Sequence, residues 1–169
     1  MNEKILLTSF QTWLPHQTSN ASDDLLESIA KLNISPDLTF LRQLPVDVSL
    51  AASRVISEIE ELQPKAIICC GMAESRQVLT VESCACGEAL DYKTSVDLEK
   101  LVAGLSVTEI SHDAGKFVCE GLYYEVLKYL SYQLNIHCIF VHVPVLTADN
   151  LPSILEDFLV IIERIASIS

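Results

Sequence analysis

Hydrophobic and polar positions follow two patterns along the chain, one typical of strands and one typical of helices. Apolar runs of strand length are KILLTSF (4–10), LTFLRQLPV (38–46), KAIICCG (65–71) and HCIFVHVP (137–144). Segments with apolar residues at helical spacing are SDDLLESIAKL (22–32), SLAASRVISEIEELQP (49–64), FVCEGLYYEVLKYLSYQL (117–134) and NLPSILEDFLVIIERIA (150–166). This order predicts an α/β fold, a three-layer sandwich in which helices flank a mostly parallel central sheet.

Weaker patterns complete this outline. Strands are also predicted over 77–85 and 105–111, whereas the mixed, polar stretch 87–104 predicts no element. Ser22 and Asp23 are good residues for a helix N-cap and first turn, so we expect the first helix to begin there. Because no repeat, low-complexity tract or linker interrupts the chain, we predict a single domain over 1–169.

Composition narrows the class of protein and of partner. Half of the 169 residues are hydrophobic, and the formal net charge is −12. This acidity argues against nucleic acid and anionic membranes as partners, since both are bound through clustered Lys and Arg. No apolar run approaches the ~18 to 20 residues that cross a bilayer, and the N-terminus lacks the features of a signal peptide. We therefore expect a cytoplasmic protein.

The six cysteines indicate free thiols rather than disulfides. Most of them lie in apolar runs, and reduced cysteines are usual in cytosolic proteins. Cys84 and Cys86 are separated by one residue instead of the two that paired zinc ligands usually have. We predict no metal site and no cofactor. A nucleotide- or phosphate-binding function is the weakest hypothesis, because the chain lacks the Gly-rich loops of such proteins.

Three side chains are of the types that form a nucleophilic set. Ligands gather beyond the carboxyl ends of parallel strands, which selects the segments after Phe10 and Gly71 and the strand end at His142. Cys119 lies near the start of a predicted helix, whose dipole and free N–H groups favour a thiolate and an oxyanion. Glu82 is an isolated carboxylate in an apolar strand. Together these residues are a candidate Cys–His–acid set.

Each member of this set also has an ordinary structural explanation. A cysteine such as Cys119 on an apolar helix face is most often a small core residue. A lone strand histidine such as His142 is most often a hydrogen-bonded core residue. Glu82 would lie on the exposed face of an edge strand. Spacing alone does not decide between the two interpretations.

Five segments, in chain order, carry the motifs of one enzyme family. They are ILLTSFQTWLPHQTSNAS, LPV, PKAIICCGMAESRQVLTVESCA, DAGKFVCEGLYYEVL and FVHVP. The chain thereby resembles pyroglutamyl peptidase I, also called pyrrolidone-carboxylate peptidase, whose last two motifs run D-A-G-x-Y-x-C-N-x-x-Y-Y and F-I-H-V-P. That family removes an N-terminal pyroglutamyl residue from peptides, using a Cys–His–Glu triad on an α/β fold without metal.

The resemblance implies a role for each candidate residue. Cys119 is implied as the nucleophile, His142 as the general base and then acid, and Glu82 as the group that orients the imidazole. The residues assigned to substrate binding, among which Phe10 and Trp13 match the family's aromatic lining of the lactam pocket, are Phe10, Trp13, Asn20, Gly71, Met72 and Val143. The expected partner is a peptide or small amide with an N-terminal pyroglutamate, and a homo-oligomer is a further expectation.

Departures from the family pattern cluster around substrate recognition. The loop at 11–19 lacks the family's adjacent glycines, Trp13 replaces a phenylalanine, and Ser83 stands where the family usually has arginine. Between Glu82 and Cys119 the chain is shorter and lacks the R-I-P-D-N motif. The leading hypothesis is a cysteine peptidase acting on pyroglutamyl or related N-terminal lactam or amide groups. The alternative is a repurposed or non-catalytic relative that binds a small ligand or a protein partner.

Overall fold

A computed structural model of the chain describes residues 3–133 and 135–168. The strands are β1 (Ile5–Phe10), β2 (Leu38–Leu44), β3 (Ala66–Met72), β4 (Leu79–Glu82), β5 (Cys84–Ala85), β6 (Tyr92–Lys93), β7 (Thr108–Ser111) and β8 (His137–Val143). The helices are α1 (Ala21–Ala30), α2 (Val48–Leu62), α3 (Leu98–Val102), α4 (Val118–Leu130) and α5 (Leu151–Ala166). Among the described residues, no helix combines the length and the apolar composition needed to cross a membrane.

Six of the strands form a central sheet in the order β2-β1-β3-β8-β4-β7. β2, β1, β3 and β8 run parallel, whereas β4 is antiparallel to β8 and parallel to β7. β5 and β6 pair with each other as a separate antiparallel ribbon. The predicted α/β fold with a mostly parallel sheet is therefore confirmed.

Helices cover both faces of the central sheet. α1, α3 and α5 pack against one face, and α2 and α4 pack against the other. In β3, Ile68 and Cys70 enter the first core while Ile67 and Cys69 enter the second. Because successive side chains of a strand point to opposite faces, a strand between two helical layers is apolar throughout. Burial of each isoleucine contributes roughly 1.5 to 3 kcal/mol, so β3 holds both layers to the sheet.

The first helix begins two residues before the start that an N-cap at Ser22 predicts, because Asn20 is its N-cap. The Asn20 Oδ1 atom accepts hydrogen bonds from the backbone N–H of Ser22 at 3.0 Å and from its hydroxyl at 2.6 Å. Asp23 lies in the first turn and forms an ion pair with Arg42, with Nε and Oδ1 2.8 Å apart. Asn and Ser are comparably good N-caps, so the local sequence does not distinguish between them.

Element limits differ from the predictions in the second half of the chain. The strand predicted over 77–85 divides at Ser83, because the chain there leaves the central sheet and pairs β5 with β6. The stretch 87–104, for which no element was predicted, contains β6 and α3. β7 occupies only the last four residues of its predicted strand. Helix α4 ends at Leu130, and residue 134, the predicted end, lies outside the described residues.

The carboxyl ends of three parallel strands meet at one edge of the sheet. β1 ends there at Phe10, β3 at Met72 and β8 at Val143. This is the kind of edge at which α/β proteins bind ligands. The β1–α1 loop, the segment after β3 and the start of α4 all contribute to a cleft beside it.

Candidate active site

The cleft at this edge has a volume of about 1500 Å³. It is larger than a typical small-molecule pocket of roughly 300 to 1,000 Å³. Seven of its lining residues bear on chemistry or recognition: Phe10, Trp13, Met72, Arg76, Phe117, Cys119 and His142. Glu82 does not line the cleft, because it is fully buried behind the His142 ring to which it is hydrogen-bonded.

Cys119 lies in the first turn of α4, where this helix meets the cleft. The N-cap residue is Phe117, which supplies no side-chain acceptor to the N–H groups of the first turn. The preceding turn is closed by a hydrogen bond from the N–H of Gly115 to Asp113 Oδ1 at 2.9 Å, and Gly115 has a φ of 90°. That conformation favours glycine. The helix thus presents the cysteine sulfur and uncapped backbone donors to the same cleft.

The sulfur of Cys119 fills the space that a side chain at position 71 would occupy. A Cβ atom on Gly71 would lie 2.5 Å from Cys119 Sγ, closer than real Cβ contacts allow. Gly71 pairs in register with His142 on the neighbouring strand, and paired residues project from the same face of a sheet. The sulfur therefore lies beside the strand position that carries the imidazole. Because Gly71 has no side chain, there is room for the Cys119 sulfur at this position.

Glu82 and His142 form a buried hydrogen-bonded pair. His142 Nδ1 and Glu82 Oε1 are 2.8 Å apart, and the two residues are 5% and 0% exposed, respectively. Because β4 runs antiparallel to β8, Glu82 is opposite Phe140 and diagonal to His142 on the same face. An ionised carboxylate only accepts hydrogen bonds, so the pairing assigns the imidazole proton to Nδ1. The Nε2 atom is then available to take a proton.

Arg76 connects the same carboxylate to other segments. Its Nη1 donates to Glu82 Oε1 and to Thr80 Oγ1, and its Nη2 donates to the backbone carbonyl of Asp113 at 2.6 Å. The hydroxyl of Tyr123 donates to the backbone carbonyl of Glu82 at 2.9 Å. Within the described residues, Glu82 Oε2 is buried without a hydrogen-bond partner. Side chains from α4 and from the β3–β4 loop thus fix the position of Glu82.

The surroundings of Cys119 favour the protonated thiol over the thiolate. Burial raises its pKa to about 12, the Glu82 carboxylate and Cys69 add to the increase, and Arg76 opposes it. The dipole of an exposed helix stabilises a charge near its end by about 0.3 to 1 kcal/mol. This is less than the roughly 1.4 kcal/mol that corresponds to a pKa shift of one unit. Burial therefore outweighs the dipole, and the thiolate that the helix position favours is not preformed. A reaction through this sulfur would need a base that takes the thiol proton.

Aromatic side chains line both the floor and the mouth of the cleft. Phe10, at the end of β1, is 2% exposed and belongs to the floor. Trp13 and Phe117 are 53% and 70% exposed at the mouth, and their ring centroids are 5.7 Å apart. This separation lies within the range of favourable aromatic pairs. Large exposed apolar side chains beside a cleft are typical of a binding surface.

The other residues assigned to substrate binding have different positions. Met72 lines the cleft, and its sulfur accepts a hydrogen bond from the first backbone N–H of α1 at 3.3 Å. Asn20 also lines the cleft, but its amide caps α1 and donates to the backbone carbonyl of Gln11 at 3.3 Å. Val143 is buried in the core on the opposite face of the sheet, because neighbouring side chains of a strand alternate between faces.

The loop at 11–19 is built without glycine. The Gln17 Oε1 atom accepts hydrogen bonds from the backbone N–H groups of Trp13 and of the next residue, at 2.9 and 3.1 Å. Gln17 Nε2 donates to Glu74 Oε1 at 2.7 Å, and His16 Nε2 lies 3.0 Å from Glu74 Oε2. No residue of this loop has a positive φ. Side-chain hydrogen bonds therefore replace the glycine turn and tie the loop to the segment after β3.

Three residues of the site lie outside the set assigned from the sequence: Gln17, Arg76 and Phe117. Gln17 and Arg76 act through contacts with distant parts of the chain, which local pattern does not indicate. Phe117 does have a local signal. It is an aromatic residue at a helix N-cap, where Ser, Thr, Asp and Asn are preferred, and it precedes Cys119 by two positions.

One hydrogen bond fastens the turn of the β5–β6 ribbon to the helix that carries Cys119, and another joins β5 to the segment after β7. The backbone N–H of Cys86 donates to Glu120 Oε1 at 2.9 Å, and Cys84 Sγ donates to the carbonyl of His112 at 3.7 Å. The turn of this ribbon forms one wall of the cleft.

Across residues 3–133 and 135–168, no group of three or more His, Cys, Asp or Glu side chains is arranged to hold a metal ion.

The chain is similar in sequence to curated pyrrolidone-carboxylate peptidases. It is 26% identical to that of Oceanobacillus iheyensis over 181 residues, which cover 89% of this chain and 90% of the relative. It is 27% identical to that of Vibrio parahaemolyticus over 191 residues, which cover 94% of this chain and 88% of the relative. No protein-family model matches the chain.

The fold is similar to that of a solved pyroglutamyl peptidase. The crystal structure of pyroglutamyl peptidase I from Bacillus amyloliquefaciens superposes with a TM-score of 0.86 and 21% identity, covering 99% of this chain and 97% of the other. At this identity the likeness shows the fold. Together with the sequence relatives, it confirms the resemblance predicted from the motifs and the enzyme class, a cysteine-type exopeptidase.

Proposed function

Because the chain is a homologue of the pyrrolidone-carboxylate peptidases, we propose that it removes an N-terminal pyroglutamyl group, or a related lactam or amide, by acyl transfer through Cys119. The observation that carries this proposal is the Cys119 sulfur in the side-chain space of Gly71, beside the buried Glu82–His142 pair. A core cysteine needs no such neighbours, whereas a cysteine nucleophile needs a base and a group that orients the base.

The first half-reaction transfers the acyl group to the enzyme. As Cys119 Sγ attacks the carbonyl carbon of the scissile amide, its proton moves to His142 Nε2. Glu82 accepts the Nδ1–H hydrogen bond and stabilises the imidazolium. The uncapped N–H groups at the start of α4 stabilise the negative charge on the carbonyl oxygen. The imidazolium then protonates the departing amine, the C–N bond breaks, and a thioester on Cys119 remains.

The second half-reaction returns the enzyme to its resting state. His142 Nε2 takes a proton from a water molecule as the water oxygen attacks the thioester carbonyl. The same backbone donors stabilise the second oxyanion. The C–S bond then breaks, the proton on His142 returns to the sulfur, and the acid product leaves. The thiol is again protonated, which agrees with the raised pKa of Cys119.

The aromatic lining suits a neutral lactam. A pyroglutamyl ring is small and uncharged, so it gains affinity from apolar contact and a few hydrogen bonds rather than from a charged clamp. Phe10 at the floor and the Trp13–Phe117 pair at the mouth supply apolar surfaces of this kind. Trp13 is larger than the phenylalanine of the family pattern, so related amides with a different ring or side chain remain within the proposed substrate class.

A second candidate is a relative that binds a small ligand or protein partner in the same cleft without catalysis. The feature that favours it is the burial of Cys119, which raises the pKa of its thiol to about 12. Within the described residues, the hydrogen bond of the His142 ring goes to Glu82 and not to the sulfur. Catalytic hydrogen bonds are often formed only when substrate is bound, so the first candidate accommodates the same observation.

Hydrolysis of a pyroglutamyl-linked fluorogenic amide distinguishes the two candidates. We expect the wild type to release the fluorophore and Cys119→Ala to lose activity on the order of 10⁴-fold. Cys84→Ala is the matched control, because Cys84 is also partly buried but lies outside the cleft, and it should keep full activity. A wild type that binds the pyroglutamyl ligand by calorimetry without turnover supports the second candidate. A wild type that does neither overturns both.

A further inference from the structure

Arg76 contacts both the acid of the candidate triad and the turn that leads into the helix of the nucleophile. Its Nη1 donates to Glu82 Oε1, and its Nη2 donates to the carbonyl of Asp113 at 2.6 Å. The same carbonyl accepts a hydrogen bond from the Ser111 hydroxyl at 3.1 Å, at the end of β7. A guanidinium is planar and presents donors in two directions, so one side chain can fix two acceptors at a set separation. Arg76 therefore joins β4 to the turn before α4.

We propose that Arg76 is a positioning residue, which holds Glu82 Oε1 towards His142 and fixes the turn that presents Cys119. This inference rests on the peptidase reaction proposed above. The side chain of Arg76 is 25% exposed and borders the cleft, but its hydrogen bonds go to Thr80, Glu82 and the turn. It acts on the reaction through these groups.

The charge of Arg76 governs how strongly the site holds a proton on His142. Arg76 and His142 share one oxygen of Glu82, since both bind Oε1 while Oε2 has no partner among the described residues. With the guanidinium in place, the charge of the carboxylate is partly neutralised. Without it, the full negative charge would stabilise the imidazolium and delay its release of the proton.

The other titratable groups around this pair supply no positive charge. They are the thiols of Cys119 on α4 and Cys69 on β3, and the phenol of Tyr123, whose hydroxyl donates to the Glu82 carbonyl. In the described part of the chain, the ion-pair partners of Glu82 are Arg76 and His142. Replacing Arg76 should therefore change the proton affinity of the site as well as its geometry.

Two substitutions separate these effects in the full-length enzyme with a pyroglutamyl amide. In Arg76→Gln we expect kcat to fall about 10²-fold with KM changed less than about threefold, because the reacting groups lose their alignment. The acid limb of the kcat/KM profile should move upward by roughly one pH unit, because the charge is lost. In Arg76→Lys the charge remains, so the acid limb should return to its wild-type position while kcat recovers only about tenfold.

Arg164→Gln is the matched control. The Arg164 guanidinium also binds backbone carbonyls, those of Leu101 and Ala103, each at 2.8 Å. It lies near the C-terminal end of α5 and outside the cleft. We expect this variant to lose some thermal stability while keeping the wild-type kcat and pH profile. Comparing the kcat values of Arg164→Gln and Arg76→Gln at the same fraction of folded protein then separates a loss of activity from a loss of stability.

Nitrogen-15 NMR of labelled histidine gives a readout that needs no substrate. We expect the His142 imidazolium to persist to a pH about one unit higher in Arg76→Gln than in the wild type, with His142→Gln identifying its signals. Retention of both the wild-type kinetic pH profile and the wild-type NMR titration of His142 in Arg76→Gln would overturn the inference. A wild type without turnover overturns the proposed reaction instead, and the NMR titration still decides the role of Arg76. If Arg76→Gln does not fold, wild-type kcat in Arg76→Lys overturns the inference and a lowered kcat supports it.

Discussion

The floor and the mouth of the cleft are built in different ways. At the floor, His142 is 5% exposed and is backed by Glu82, which is 0% exposed and which Arg76 links to the turn before α4. At the mouth, Trp13 and Phe117 are 53% and 70% exposed and contact each other through their rings. The floor is thus held by buried hydrogen bonds to a carboxylate, and the mouth by exposed apolar contacts.

This difference separates the reaction from the choice of substrate. Removing one partner of a buried charge pair costs roughly 3 to 5 kcal/mol, so the floor tolerates little change. An exposed aromatic side chain contributes less to folding, so the mouth can change while the fold persists. The departures from the family pattern follow this division, since the altered loop at 11–19 and Trp13 lie at the mouth. Five variants or conditions test it, in decreasing order of expected effect.

Substitution of the base should have the largest effect. In His142→Gln the amide can still donate to Glu82, but it cannot take a proton, so we expect kcat to fall on the order of 10³- to 10⁴-fold with the fold retained. Steady-state hydrolysis and circular dichroism measure the two quantities. His112→Gln is the control, because His112 is hydrogen-bonded to Ser83 outside the cleft and should be dispensable. More than a tenth of wild-type activity in His142→Gln would remove His142 from the reaction.

The resting thiol should respond steeply to pH. Because burial raises the pKa of Cys119 from 9.0 to about 12, its thiolate fraction should increase about tenfold per pH unit. Alkylation of Cys119 by iodoacetamide, followed by peptide mass spectrometry, should therefore accelerate about 10³-fold from about pH 7 to about pH 10. A rate that is already constant near neutral pH would instead reveal a preformed thiolate–imidazolium pair.

The same raised pKa predicts the direction of a stability change. The folded state favours the protonated thiol of Cys119. The contribution of this preference to the free energy of unfolding is complete below pH 9.0 and is lost as the pH rises towards about 12. Chemical denaturation at alkaline pH should show a smaller decline for Cys119→Ser than for the wild type. Equal declines in both proteins would contradict this assignment.

A methyl group at position 71 should displace the nucleophile. In Gly71→Ala the new Cβ would lie 2.5 Å from Cys119 Sγ and 3.0 Å from Phe140 Cζ, so we expect kcat to fall about 10²-fold. Thermal unfolding of the double variant Gly71→Ala/Cys119→Ala isolates the contact with the sulfur. Its melting temperature should exceed that of Gly71→Ala, because the clash is relieved. A double variant no more stable than the single one would locate the strain elsewhere.

Changes at the mouth should have the smallest effect and should alter binding. In Trp13→Ala we expect KM to rise about tenfold with kcat nearly unchanged, which corresponds to about 1.4 kcal/mol of apolar contact. Tyr132→Ala is the matched control, since Tyr132 is 85% exposed and outside the cleft. Steady-state kinetics on pyroglutamyl amides with different leaving groups measure how the effect divides between KM and kcat. A fall in kcat comparable to that of Gly71→Ala would mean that the mouth takes part in the reaction itself.

Much of the fold could be predicted from the pattern of apolar residues, because strands that lie between two helical layers consist mainly of apolar residues. β3 and β8 are continuous apolar runs, and both lie in the centre of the sheet. The direction of β4 could not be predicted, since its pattern is compatible with either a parallel or an antiparallel neighbour. That direction brings Glu82 to His142. Spacing therefore indicated the residue types of the site, but not their contact.

The rest of the site depends on contacts between distant segments. Cysteine is a common core residue, and Cys119 was distinguished from the other cysteines by its place near a predicted helix start and, above all, by the family motifs. The hydrogen bond from Arg76 to the carbonyl of Asp113 involves a backbone atom, so no side chain in the sequence indicates it. The single domain, the cytoplasmic location and the homo-oligomer stay predictions.

The ribbon formed by β5 and β6 has a consequence for how such enzymes diverge. Among the described strands, these two pair only with each other, and the ribbon is fastened to α4 by Glu120 and by the Tyr92–Tyr124 ring contact at 5.1 Å. The turn between β5 and β6 can therefore lengthen or shorten without moving Glu82 or Cys119. Insertions and deletions there would reshape the rim of the cleft and leave the candidate triad in place. Length variation in this turn would thus alter the fit of a ligand without altering Cys119, His142 or Glu82.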